Sequence, residues 1–184
     1  MRRLTMVLAC VLLAVLAASC GDDEKEAAAP EAAAPEPTAT ATPTADPEAG
    51  FADVENISKD LEAKPEITKP TGQPPAELQS TDIVKGKGKA AKAGDTVSVQ
   101  YVGHSWSTGT QFDASWDRGG EPFTFPLGAG QVIPGWDQGV VGMKEGGRRL
   151  LVIPPELAYG AQSPSPDIGP NETLIFVVDL EKIG

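Results

Sequence analysis

One histidine, His104, and two cysteines, Cys10 and Cys20, are all the chain offers for thiol, imidazole or zinc chemistry. Both cysteines lie at the extreme N-terminus, so the rest of the chain holds no disulfide and no thiol nucleophile. One imidazole without thiolate partners is a poor start for a zinc site, and no metal or cofactor is expected. A Ser-His-Asp triad would depend on that single ring. Lys85-Gly-Lys-Gly-Lys89 has the composition of a phosphate cradle, but it lacks the spacing of a P-loop and a following helix, so it reads as a solvated turn. Fifteen basic residues against twenty-six acidic ones give a net charge of -11, which argues against binding a nucleic-acid backbone. What is left is aromatic and carboxylic: Phe112-Asp113, Trp136, Tyr159 and Phe176. Taken singly, these are core residues, a turn beside a strand and a loop start. Gly146-Gly147-Arg148-Arg149 by itself reads as a turn with solvated charges, and His104 and Trp106 read as hairpin-surface or edge residues.

The elements that must position this set occupy only part of the 184 residues, a length that allows one domain plus tails. Arg2 and Arg3 precede an apolar run that ends in Ala17-Ala18-Ser19, the layout of an export signal over residues 1–19. The run is too short for a comfortable permanent span. Small residues directly before Cys20 resemble a bacterial lipobox, with Ala17 where leucine is usual. Cys20 is the expected lipidation site, and simple secretion is the alternative. Removing Arg2 and Arg3 leaves the chain still more acidic, so acyl chains rather than charge would hold it on a membrane. The expected location is extracytoplasmic, with a Gram-positive cell membrane and an outer membrane both open.

Residues 20–63 are rich in Ala, Pro, Glu and Thr, and Pro30, Pro35, Pro37, Pro43 and Pro47 interrupt any long helix. With little to bury, this stretch is expected to be a disordered tether spanning roughly 35–40 Å as a coil. Within it, residues 51–61 have some helical spacing. The globular domain is expected over 64–184. Residues 96–101 (TVSVQY) alternate as a half-buried strand with Val97, Val99 and Tyr101 inward. Residues 148–153 and 173–180 are two further strands, 78–85 a weaker one and 123–125 a short one. Residues 134–140 form one short helix with Pro134 in its first turn. The fold class is therefore α+β: an antiparallel sheet wrapped on one short helix.

Six segments in series carry a family resemblance: YVG at 101–103, FDAS at 112–115, PFTFPLG at 122–128, VIPGWDQGVVGMKEGGRR at 132–149, IPPELAYG at 153–160 and TLIFVVDL at 173–180. The region 64–184 resembles an FKBP-type peptidyl-prolyl cis-trans isomerase. The resemblance implies five or six antiparallel strands curled around the helix, with an aromatic cleft between them. It implies catalytic roles for Tyr101, Phe112, Asp113, Tyr159 and Phe176. It implies substrate contacts for Arg118, Phe123, Val132, Ile133, Trp136 and the flap residue Ile168. Its implied partners are proline-containing polypeptides and macrolides such as tacrolimus or rapamycin, met by a monomer. The flap departs from the family pattern: Pro164 stands where histidine is frequent and Asp167 replaces an apolar residue.

Such an activity needs no nucleophile, base or metal. Rotation about an X–Pro amide meets a barrier of about 18–20 kcal/mol from lost C–N double-bond character, and no bond is broken. A dry aromatic cleft disfavours the polar planar amide relative to the twisted one. The Ile133 N–H and the Tyr159 hydroxyl are the expected holders of substrate carbonyls. Asp113 either faces the rotating carbonyl carbon or orients Tyr101 and Arg118. The expected function is isomerisation of exported proteins whose folding waits on proline. The rival is a non-catalytic proline-binding module on the same tether.

Overall fold

The computed structural model describes Val54 and residues 56–184. The expected signal peptide, Cys20 and most of the tether lie outside the described residues. Six strands form one antiparallel sheet: β1 (Gln79–Val84), β2 (Thr96–Ser105), β3 (Gln111–Ala114), β4 (Phe123–Pro126), β5 (Gly147–Ile153) and β6 (Leu174–Ile183). The order across the sheet is β1-β5-β6-β2-β3, with β4 also paired to β2. One helix, α1 (Pro134–Gly139), crosses the concave face. This is the expected α+β architecture. β3 was not foreseen, because Gln111–Ala114 is too short to show a period.

Alternation decides what each strand buries. Val97, Val99 and Tyr101 on β2, Leu151 and Ile153 on β5, and Phe176, Val178 and Leu180 on β6 share the core cluster that takes in Trp136 and Val140. Helix α1 lies close on this face because Gly135 meets Ile153: a Cβ there would stand 2.3 Å from Ile153 Cγ2. Pro134 opens the helix, and the Asp137 carboxylate accepts the Gly128 and Gly130 N–H groups at 2.8 and 2.9 Å. Those bonds fix the loop that leads into the helix.

The opposite face differs from expectation in several places. β2 is buried on both sides, not half-buried, because Val102 packs with Leu150, Val152, Ile175 and Val177 under Val54, Ile57 and Ile67. The ordered domain thus reaches back past Lys64 to Val54, and no helix forms among the described residues of 51–61. Here the apolar spacing serves an extended strap across the sheet. Trp106 is buried in the same cluster instead of lying at the surface. Arg148 is fully buried rather than solvated, since β5 alternation puts it beneath the strap. It donates to both oxygens of Asp179 at 2.6 Å and to the carbonyls of Ser58 and Ala63.

Candidate active site

The cleft opens where β2, β3 and β6 meet the start of α1. Tyr101 points inward from β2. Two residues on, Gly103 leaves room for rings that a side chain would displace: a Cβ there would come 2.7 Å from both Phe112 and Phe176. Trp136, on the first turn of α1, stands edge-to-face against Tyr101 at 5.1 Å and Phe176 at 5.2 Å between ring centroids. Phe112 meets Phe176 edge-to-face at 5.5 Å, and Phe123 stacks on Phe125 at 5.4 Å. Each such pair stabilises the box by about 0.5–1.5 kcal/mol beyond its buried area, and the packing fixes ring positions before any ligand arrives.

The resulting cavity is about 390 Å³, lined by Tyr101, Phe112, Asp113, Phe123, Gln131, Val132, Ile133, Trp136, Tyr159 and Phe176. It therefore gathers most of the residues singled out from the sequence. Arg118 stands behind Tyr101 and Asp113 and is not part of the wall. Ile168 does not line the cavity either; it is buried in the concave core, and its carbonyl accepts from Ser163 Oγ at 2.6 Å. The flap is anchored through Ile168, while Pro164 and Asp167 face solvent. Gln131 was missed, although its place directly before Val132-Ile133 was the signal available.

Three side chains form a polar rim. The Tyr101 hydroxyl donates to Asp113 Oδ2 at 2.5 Å and accepts from Arg118 Nη2 at 2.7 Å. Arg118 Nη1 also donates to Asp113 Oδ1, and the guanidinium lies 5.4 Å from the Tyr101 ring centroid, in cation–π range. Burial first, and then the Asp113 carboxylate, push the Tyr101 phenol up to about 12, against the opposing pull of Arg118. Burial, followed by Asp113, also raises Tyr159. Both phenols keep their protons near neutrality and remain donors. The Ile133 N–H makes no hydrogen bond to another described residue. The arrangement offers an aromatic-walled slot for an apolar ring, with neutral donors at its edge and no activated nucleophile.

A family model described as "FKBP-type peptidyl-prolyl cis-trans isomerase" matches residues 87–181. An "FK506-binding protein" of Streptomyces anulatus is 61% identical over 118 residues, covering 64% of this chain and 94% of the relative. An "FK506-binding protein" of Neisseria meningitidis serogroup A is 50% identical over 103 residues, covering 55% and 92%. Among solved structures, AtFKBP13 is similar with a TM-score of 0.53 at 39% identity, over 58% of this chain and 93% of that one. FkpA from Escherichia coli is similar with a TM-score of 0.51 at 47% identity, over 58% and 47%.

Proposed function

The chain belongs to the FKBP-type peptidyl-prolyl cis-trans isomerases, and on that premise we propose that it is itself an active isomerase that turns X–Pro bonds in exported polypeptides. The observation that carries this reading is the intact aromatic cavity with uncommitted donors at its edge. Trp136, Tyr101, Phe112 and Phe176 exclude water from the amide. The planar ground state then loses the solvation that favours its polarity, while the twisted state, with less charge separation, loses little. The neutral Tyr159 hydroxyl and the Ile133 N–H are placed to hold substrate carbonyls at fixed positions, so that the amide rotates against a held frame. Asp113 is occupied by Tyr101 and Arg118, which favours an orienting role over direct contact with the rotating carbonyl. A million-fold acceleration would require about 8 kcal/mol from these effects together.

The small residues before Cys20 support lipid anchoring, which would place the domain beside polypeptides leaving a translocation channel. The names of the relatives support binding of the macrolide FK506 in the same cavity. The deciding measurement is isomerisation of an Ala-Leu-Pro-Phe peptide, by NMR exchange or a protease-coupled assay. The wild-type chain should accelerate it, and Phe112→Ala should lower kcat/KM by about one to two decades as the wall opens to water. A wild-type protein that binds the peptide without speeding rotation would make it a binding module.

A further inference from the structure

The turn that delivers Arg118 to the cleft is a single 3₁₀ turn, Ser115–Arg118, followed by two glycines. Asp117 in that turn pairs with Lys64 and accepts from Gln111 Nε2, and Trp116 packs on the back cluster. The grip on both ends of the turn lies on the far side of β2. Gln100 is buried, one residue before Tyr101 and on the opposite face. Its Oε1 accepts from the Ser115 hydroxyl at 2.5 Å, and its Nε2 donates to the Gly120 carbonyl. Ser115, itself fully buried, also accepts the Tyr101 N–H on its Oγ at 2.8 Å, and the Gly120 N–H returns to the Ser115 carbonyl at 3.3 Å. One amide thus grips both ends of the turn, with Arg118 between the two points of attachment.

We propose that Gln100 is a positioning residue of the isomerase: by clamping Ser115 and Gly120 it sets Arg118 on the Tyr101 hydroxyl and the Asp113 carboxylate. This role rests on the isomerase reading of the cleft. An amide meets the demand with one side chain, because one end of the turn needs an acceptor and the other a donor. A glutamate would leave the Gly120 carbonyl without its donor. It would also place an acid opposite Asp179, the residue in register with Gln100 on β6.

The test uses Gln100→Met, which keeps length and apolar volume and removes both bonds, with Ser115→Ala as a second variant should the first fail to fold. Two readouts separate positioning from mere stability. Tyr101 and Tyr159 are the only tyrosines in the chain, so ¹³Cζ labelling resolves each phenol. Gln100→Met should shift the Tyr101 signal, leave Tyr159 in place, and lower kcat by about tenfold with little change in KM. In an Arg118→Ala background the same substitution should cost nothing further, because the residue it positions is gone. An unmoved Tyr101 signal in a folded variant, or losses that add independently of Arg118, would overturn the proposal. If the wild-type chain proves inactive, the isomerase reading falls, and the Tyr101 signal alone decides whether the clamp sets the phenol.

Discussion

An arginine meets an aspartate twice in this domain, on opposite faces of one sheet, and the two meetings have different physical meaning. Arg118 and Asp113 sit at the cleft rim with side chains 50% and 41% exposed. Arg148 and Asp179 lie beneath the strap at 0% and 7%. Water screens the first pair, so it adds little to stability and is free to orient a phenol. The second is bidentate and cut off from water, and its arginine also holds two strap carbonyls. Burial raises the Asp179 carboxyl even against the attraction of Arg148. A buried pair of this kind is of limited net value while intact but costly to break, because the survivor is left charged in a dry site. The lesson is that exposure separates the two: the rim pair is open to the role proposed for it in the reaction, and the buried pair secures the N-terminal strap.

The largest effect should come from breaking the buried pair. Arg148→Met strands Asp179 and releases Ser58 and Ala63, and is expected to cost about 3–5 kcal/mol of stability, read as a lower urea midpoint. Isomerase activity per folded molecule should stay unchanged. Adding Asp179→Leu removes the stranded charge and should recover much of the loss. A stability loss below about 1 kcal/mol would mean that the two pairs do not differ as described.

The rim pair should show the reverse. Asp113→Val removes the acceptor of the Tyr101 hydroxyl and the partner of Arg118 while keeping bulk. It should lower kcat/KM by about one to three decades, equivalent to about 1.4–4 kcal/mol of transition-state stabilisation. Its cost to folding should be about 1 kcal/mol or less. Equal losses of stability in the Asp113 and Arg148 variants would erase the distinction between the faces.

The two faces also differ in how far they could be read in advance. The cleft face was legible because alternation marks Val97, Val99 and Tyr101, and because six motifs in order fix where Phe112, Trp136, Tyr159 and Phe176 must meet. The back face was hidden by long-range burial. Arg148 looks solvated beside Arg149 and two glycines, and only a strap from ninety residues upstream makes its site dry. Val54 and Ile57 look helical in a proline-rich surrounding, and their spacing has meaning only against Val102 and Leu150. Gln100 is an ordinary polar residue on an alternating strand until the fold places Ser115 and Gly120 under it.

The smallest expected effects concern pH, and they separate the faces by the direction in which each fails. Tyr101, on the cleft face, has its phenol raised from 10.0 to about 12 in the fold. A raised pKa means that the folded state holds the proton more tightly than the unfolded chain. That contribution to stability is complete below pH 10 and is lost as the pH climbs toward 12. His104, beside the strap residues Lys64–Thr68, is shifted the other way: burial lowers it below 6.5, outweighing its hydrogen bond to the Gly109 carbonyl. Its contribution is present above pH 6.5 and is lost as the pH falls through the lower folded value. Urea midpoints measured across pH should therefore sag at the alkaline end through the cleft face and below pH 6.5 through the back face. Tyr101→Phe should shrink the first limb only, leaving the share of Tyr159, and His104→Gln should flatten the second only. Between these limits neither the rim phenols nor His104 changes charge, and the proposed reaction moves no proton, so kcat/KM should be level from pH 7 to 9 and unaltered by His104→Gln. A rate that follows an imidazole titration and loses that dependence in His104→Gln would place His104 in the reaction and end the division between a working face and a holding face.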